Sequence, residues 1–170
     1  RYDISRDDRL RSTFSLNRQT PDSLLMIQGW AVQTLRVGDV QNQQPIALPL
    51  ISWRQHLAGL PGGGSAMLEA NTLSLIRVDG QDTQRAFAGA TANWRRFTPM
   101  GQIIDLSALA RADIYHTDNV LATSVPAYRG AEGWQARAFG GAALDVRWPL
   151  IGPLWGGTQR LTPRIQLAGT

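Results

Sequence analysis

The sequence predicts an all-β chain, an antiparallel up-and-down meander of about eight long strands belonging to a transmembrane β-barrel. Three observations predict it. Apolar and polar residues alternate with period two, the mark of strands whose two faces meet different surroundings. The alternating segments run to about 11–14 residues, against about 5–6 for the usual soluble strand. Tight turns and longer connections also alternate along the chain, the rim asymmetry of outer-membrane barrels.

The elements follow in order. In Leu10–Asn17, Leu10, Phe14 and Leu16 oppose Arg11, Thr13, Ser15 and Asn17. Leu24–Leu35 is apolar on both faces and reads as a buried strand. Ile46–Leu57 contains Pro49, which has no N–H for a ladder, so an edge or a bulge is expected there. Ala66–Val78 has a polar face of Glu69, Asn71 and Arg77, diluted by Leu73 and Leu75. In Arg85–Arg95, Ala86, Ala88, Ala90, Ala92 and Trp94 oppose Arg85, Thr91, Asn93 and Arg95, with Phe87 and Gly89 among the latter. In Ile103–Tyr115, Ile104, Leu106, Ala108, Ala110, Ala112 and Ile114 oppose Asp105, Ser107, Arg111, Asp113 and Tyr115, with Leu109 the exception. Trp134–Trp148 sets Ala136, Ala138, Gly140, Ala142, Leu144 and Val146 against Gln135, Arg137, Asp145 and Arg147. Gln159–Ala168 reads as the last strand. A helix, with its period of 3.6, would mix these groups on every face.

Turn chemistry separates the strands at Gln19–Asp22, Pro61–Gly64, Asp79–Asp82, Thr98–Gly101 and from Gly152-Pro153 onward. Asp118 to Gly133 is the longest connection. Twelve residues rising ~3.3 Å each and tilted ~45° cross about 28 Å, close to the ~30 Å hydrocarbon core. Trp94, Trp134 and Trp148 fall at strand ends, where an aromatic girdle sits; Trp30 and Trp53 fit it less well. A soluble β-sandwich alternates too, but strand length and rim asymmetry favour the barrel.

Composition excludes other classes. The 170 residues include 17 Arg and no Lys against 11 Asp and 2 Glu, a net charge of +4. Without Cys there is neither a disulfide framework nor a cysteine-ligated metal. Normal apolar content and small net charge argue against disorder. The longest clean apolar run, Ile46–Ile51, is far too short for a transmembrane helix. Arg9-Leu10-Arg11 and Arg95-Arg96 are too small for a nucleic-acid surface, so none is expected as a partner. The opening Arg1-Tyr2-Asp3 is no signal peptide, and the start without Met suggests a mature chain or an excised piece.

Chemistry-bearing residues are few. His116 with Asp113 and Asp118 has no third ligand or nucleophile spaced for work and reads as a polar strand end. Pro61-Gly62-Gly63-Gly64-Ser65 lacks the Lys and the helix of a phosphate loop and reads as a turn. Asp7-Asp8 reads as a solvated turn rather than a calcium site. No catalytic, cofactor-binding or metal site is expected. An Arg facing hydrocarbon at mid-membrane costs about 2–4 kcal/mol, so the polar faces turn to the lumen. The candidate lumen residues are Glu69, Asn71, Arg77, Asn93, Arg95, Arg111, Asp113, Arg137, Asp145 and Arg147. Such arginines either guide anionic lipid phosphates through bidentate contacts or pair with lumen acids to satisfy the wall, and the second reading is preferred.

Several strings resemble the barrel of the LptD family of lipopolysaccharide-assembly proteins. They are Ile4–Asp7, Gly29-Trp30-Ala31, Ala70–Leu75, Asp79–Ala86, Tyr115–Asp118, Val125–Gly130 and Asp145–Pro149. Most specific is Gln159–Gln166, which holds a Leu-x-Pro-Arg segment similar to the family's, here Leu161-Thr162-Pro163-Arg164. The resemblance implies an outer-membrane barrel of exceptional strand number in a Gram-negative bacterium. It also implies lipopolysaccharide as cargo, transport without covalent chemistry, a plug lipoprotein resembling LptE, and periplasmic bridge components as partners. Against that pattern, the jelly-roll domain, the family's cysteines and most barrel strands are missing. Residues 1–170 are therefore expected to be a single inner segment of a large transmembrane β-barrel, without gate strands. The alternatives are another outer-membrane barrel of porin type and a soluble sandwich binding carbohydrate through exposed Trp.

Overall fold

A computed structural model describes residues 8–123 and 126–170. The string Ile4–Asp7, Asp7 of the Asp7-Asp8 pair, and Val125 of Val125–Gly130 lie outside the described residues. The alternating segments become β1 (Arg9–Gln19), β2 (Ser23–Thr34), β3 (Ile46–Leu60), β4 (Gly64–Ile76) and β5 (Asp82–Phe97). They continue as β6 (Ile103–Asp118), β7 (Gly133–Arg147), β8 (Leu150–Leu154), β9 (Gly157–Leu161) and β10 (Arg164–Gly169). Eight strands form one antiparallel sheet in the order β1-β2-β3-β4-β5-β6-β7-β10, and β8 pairs with β9 alone. The predicted all-β meander is thus the observed one. Strands take up 71% of the described residues, about three times the share in a soluble domain.

This sheet has no hydrophobic core. Among the described residues the buried apolar ones are Ala47, Ala66 and Val120, and no large side chain is fully buried. Leu10, Phe14, Met67, Leu106, Ile114, Leu144, Ile165 and Leu167 are all exposed. Soluble domains bury such residues between layers. β2, expected to be buried, is mostly half-buried, with only Gly29 fully so. Its apolar residues on both faces lie in a single layer.

Three further expectations are corrected. Of the edge or bulge expected at Pro49, the edge is overturned: β3 stands between β2 and β4. Proline withholds one ladder donor, which a strand of 15 residues absorbs. Gln159–Ala168 is not one strand, because Thr162-Pro163 divides it into β9 and β10. Gly152-Pro153 is not a turn but part of β8, and the chain reverses at Trp155-Gly156, both at positive φ (48° and 74°). The pairing keeps phase across the break. Leu144 faces Leu167 and Val146 faces Ile165; the Trp148 N–H then donates to the Pro163 carbonyl at 2.9 Å, and Leu150 faces Leu161. β7–β8 and β9–β10 are therefore the two arms of one hairpin, interrupted where prolines 149 and 163 remove ladder donors.

The chain divides into two compact units. The first comprises Arg1–Arg54, Ala70–Ala88 and Asp113–Arg137. Its connections are knitted together: the Asp79 N–H donates to the Asn42 carbonyl at 3.0 Å, and the Thr123 hydroxyl to Gln81 Oε1 at 2.7 Å. Gln41 reaches back to the Val32 carbonyl at 2.9 Å. The second unit comprises Gln55–Glu69, Gly89–Ala112 and Ala138–Thr170. It holds tight turns, one closed by Gly63 N–H to the Leu60 carbonyl (2.8 Å) and one by Thr98 N–H to the Gln102 carbonyl (2.9 Å). The Trp94 indole N–H caps the first, donating to the Pro61 carbonyl at 3.1 Å.

Candidate functional site: a face of cross-strand ion pairs

Alternation places one polar residue in two on the same face of each strand, and antiparallel pairing brings them abreast. In the second unit this joins four strands. Arg95 on β5 grips Asp105 on β6 with two hydrogen bonds, Nε to Oδ1 at 2.5 Å and Nη2 to Oδ2 at 3.2 Å. Arg147 on β7 donates to the same carboxylate at 2.9 Å. Arg164 on β10 donates to Asp145 on β7 at 2.5 Å. These residues line an open groove of about 690 Å³ together with Asn93 and Ser107. Asp145 is buried, and Arg147 Nε is buried with no acceptor among the described residues.

Glu69 on β4 and Arg111 on β6 stand 4.0 Å apart across the intervening β5. Gly89 of β5 lies under that path: a Cβ there would make ordinary contact with Glu69, 3.4 Å from both Cγ and Oε1. In the first unit, Arg137 on β7 donates from Nε to Asp113 on β6 at 3.1 Å and from Nη2 to the Tyr115 hydroxyl at 2.9 Å. Its guanidinium also lies over the Tyr115 ring, 5.4 Å from the centroid. Asn71 on β4 donates to the Ile51 carbonyl (2.9 Å) and the Ser52 hydroxyl (2.8 Å) of β3.

The expected lumen residues therefore separate into three groups. Glu69, Arg95, Arg111, Asp113, Arg137, Asp145 and Arg147 all enter cross-strand ion pairs. Asn71 satisfies a neighbouring strand, and Asn93 is exposed in the groove. Arg77 lies one residue beyond β4, where its guanidinium is held by the Gln81 carbonyl and its N–H by Asp82 at 2.7 Å. The lumen candidates left out Asp105, Arg164 and Tyr115. Asp105 and Tyr115 share alternation with Asp113, and Arg164 with Gln166 two residues on, so the period-two signal was available for all three. In the paired set five arginines meet four carboxylates, leaving the face close to neutral.

His116 packs against Trp134 with ring centroids 4.4 Å apart and the planes tilted by 42°, and its Nδ1 lies 3.3 Å from Asp118. The described residues contain no group of three His, Asp or Glu able to hold a metal. Pro61–Gly63 turns directly from β3 into β4, with no helix to present a phosphate site.

Long antiparallel strands with one exposed apolar face and one face of cross-strand charge pairs define the wall of an outer-membrane-type β-barrel. The chain belongs to the LptD family: the family model described as LPS transport system D matches residues 1–169. Membership makes this a chain of a lipopolysaccharide transport family, not an enzyme family, and implies the Gram-negative outer membrane as its setting. No curated protein matches the chain.

Proposed function

We propose that residues 1–170 are a single wall segment of the translocon that inserts lipopolysaccharide into the outer leaflet, working without covalent chemistry. The observation that carries this is the two-sided sheet: uncovered apolar residues such as Leu106, Ile114 and Leu144 on one face, ion pairs on the other. Only a bilayer outside and a watery lumen inside satisfy both faces at once. The lumen set is then Glu69, Asn71, Asn93, Arg95, Arg111, Asp113, Arg137, Asp145 and Arg147, with Arg77 at its margin and Asp105 and Arg164 added. A plug lipoprotein and periplasmic bridge components are the partners this reading requires.

Within the wall, the arginines hold the strands together rather than carry the lipid. Each candidate arginine of the lumen strands already faces a carboxylate, which leaves little attraction for a passing phosphate. The test is depletion and rescue in the native host with the full-length protein. Depletion stops lipopolysaccharide from reaching the cell surface, read by surface labelling. Rescue by Arg111→Gln plus Arg137→Gln restores surface lipopolysaccharide and the envelope barrier at matched protein level. Failed export at normal protein level would overturn the structural role of the arginines, and normal export under depletion would overturn the transport reading.

A further inference from the structure

The β8–β9 arm goes beyond the wall function. Where the neighbouring connection closes at residues 98–102, the β7–β10 hairpin runs on for five more residue pairs to Trp155-Gly156. The neighbouring turn ends level with Trp148, whose Nε1 lies 4.0 Å from a Cβ built on Gly101. At ~3.3 Å per residue the arm is about 20 Å long. Three of its exposed residues are large and apolar, Ile151 (71% exposed), Leu161 (64%) and Trp155 (92%), beside the exposed Thr158, Gln159 and Arg160. An isolated two-stranded hairpin is marginal in water, so an arm of this composition needs a cover.

Three features indicate which cover. First, the apolar stripe of the wall continues into the arm without slipping phase, from Leu144, Val146, Ile165 and Leu167 to the facing pair Leu150 and Leu161. Second, no acidic residue occurs from Trp148 to Thr170, and Arg160 pairs in register with the exposed Ile151. The arm therefore sets a cation beside apolar surface, as segments lying on anionic bilayers do. Third, Trp148 and Trp155 bracket it, and tryptophan prefers the headgroup level. We propose that the arm, residues 148–163, lies in the headgroup region of the bilayer leaflet at the tight-turn rim. Trp155 at the tip and Leu161 on the stripe face enter the acyl boundary, and Arg160, on the other face of the arm, meets anionic phospholipid phosphates. This rests on the wall reading above, since the stripe it extends is the lipid-facing one.

The test uses the full-length protein in vesicles of phosphatidylcholine and phosphatidylglycerol brominated high on the acyl chains, where bromine quenches only tryptophans at that depth. The contribution of Trp155 is the difference between the parent and Trp155→Phe, a change that preserves the hairpin. Loss of part of the bromine-quenchable emission in Trp155→Phe is the expected result. Arg160→Glu should lower that component when phosphatidylglycerol is present and not in phosphatidylcholine alone. Equal bromine quenching of parent and Trp155→Phe overturns the proposal. Acrylamide then tells where the arm is: a Trp155 open to acrylamide stands in water, and one shielded from both quenchers is covered by protein. Bromine quenching of the remaining tryptophans in Trp155→Phe reports insertion of the wall itself, so failure of the arm and failure of the wall reading are told apart.

Discussion

Arg137 and Asp113 meet with unequal exposure: the arginine side chain is 64% exposed and the carboxylate 2%. That asymmetry sets the cost of breaking the pair. Arg137→Gln removes a charged donor from a buried carboxylate and is expected to cost about 1–2 kcal/mol. Asp113→Asn frees a guanidinium that water can reach and is expected to cost less, ~0–1 kcal/mol. Urea unfolding of the two variants in detergent should rank them in that order. The members of such pairs were legible as residues, since alternation alone put Asp113 and Arg137 on polar faces. The pairings were not. Which carboxylate meets which arginine depends on strand register, and a shift of two residues keeps every side chain on its face while changing every partner. Arg164 shows this best: its partner Asp145 is 19 residues away, across a hairpin hidden by two prolines.

The middle strands could be read at once, because β5, β6 and β7 are long, regular and bounded by strong turn residues. The β8–β9 arm was misread for a definite reason. Gly152-Pro153 carries the composition of a turn but lies within a strand, whereas the actual reversal uses Trp155, a residue seldom found at positive φ. Holding a bulky L-residue in the left-handed region costs roughly 1–2 kcal/mol. Two-residue hairpins with positive φ at both positions favour Asn-Gly. Trp155→Asn is accordingly expected to tighten the arm by roughly 0.5–1 kcal/mol. Hydrogen exchange at the Leu150–Leu161 and Gly152–Gln159 pairs should slow in that variant. Unchanged exchange would mean that contacts of the indole outweigh the backbone cost.

Across the whole molecule, two adjacent positions of β6 report which side faces lipid. Ala110 shares the apolar face with Leu106 and Ile114, and Leu109 shares the face of Asp105 and Arg111. Ala110→Arg would put a charge into hydrocarbon at a cost of about 2–4 kcal/mol near the midplane, while Leu109→Arg adds a cation to a watery lumen. Folded outer-membrane protein, read by its heat-modifiable shift on gels, should fall for Ala110→Arg and persist for Leu109→Arg. Equal tolerance of both would contradict the assigned faces. The sheet was foreseen at this scale because strand length is set by bilayer thickness, which leaves its mark on the sequence itself.

The strand order has a kinetic consequence as well. From β1 to β7, each strand's partner is the one just before it in the chain. Loop closure for each new hairpin is therefore short and cheap, and no distant segment has to be found first. Growth can proceed stepwise as a zipper, in which every completed strand offers its free edge as the template for the next.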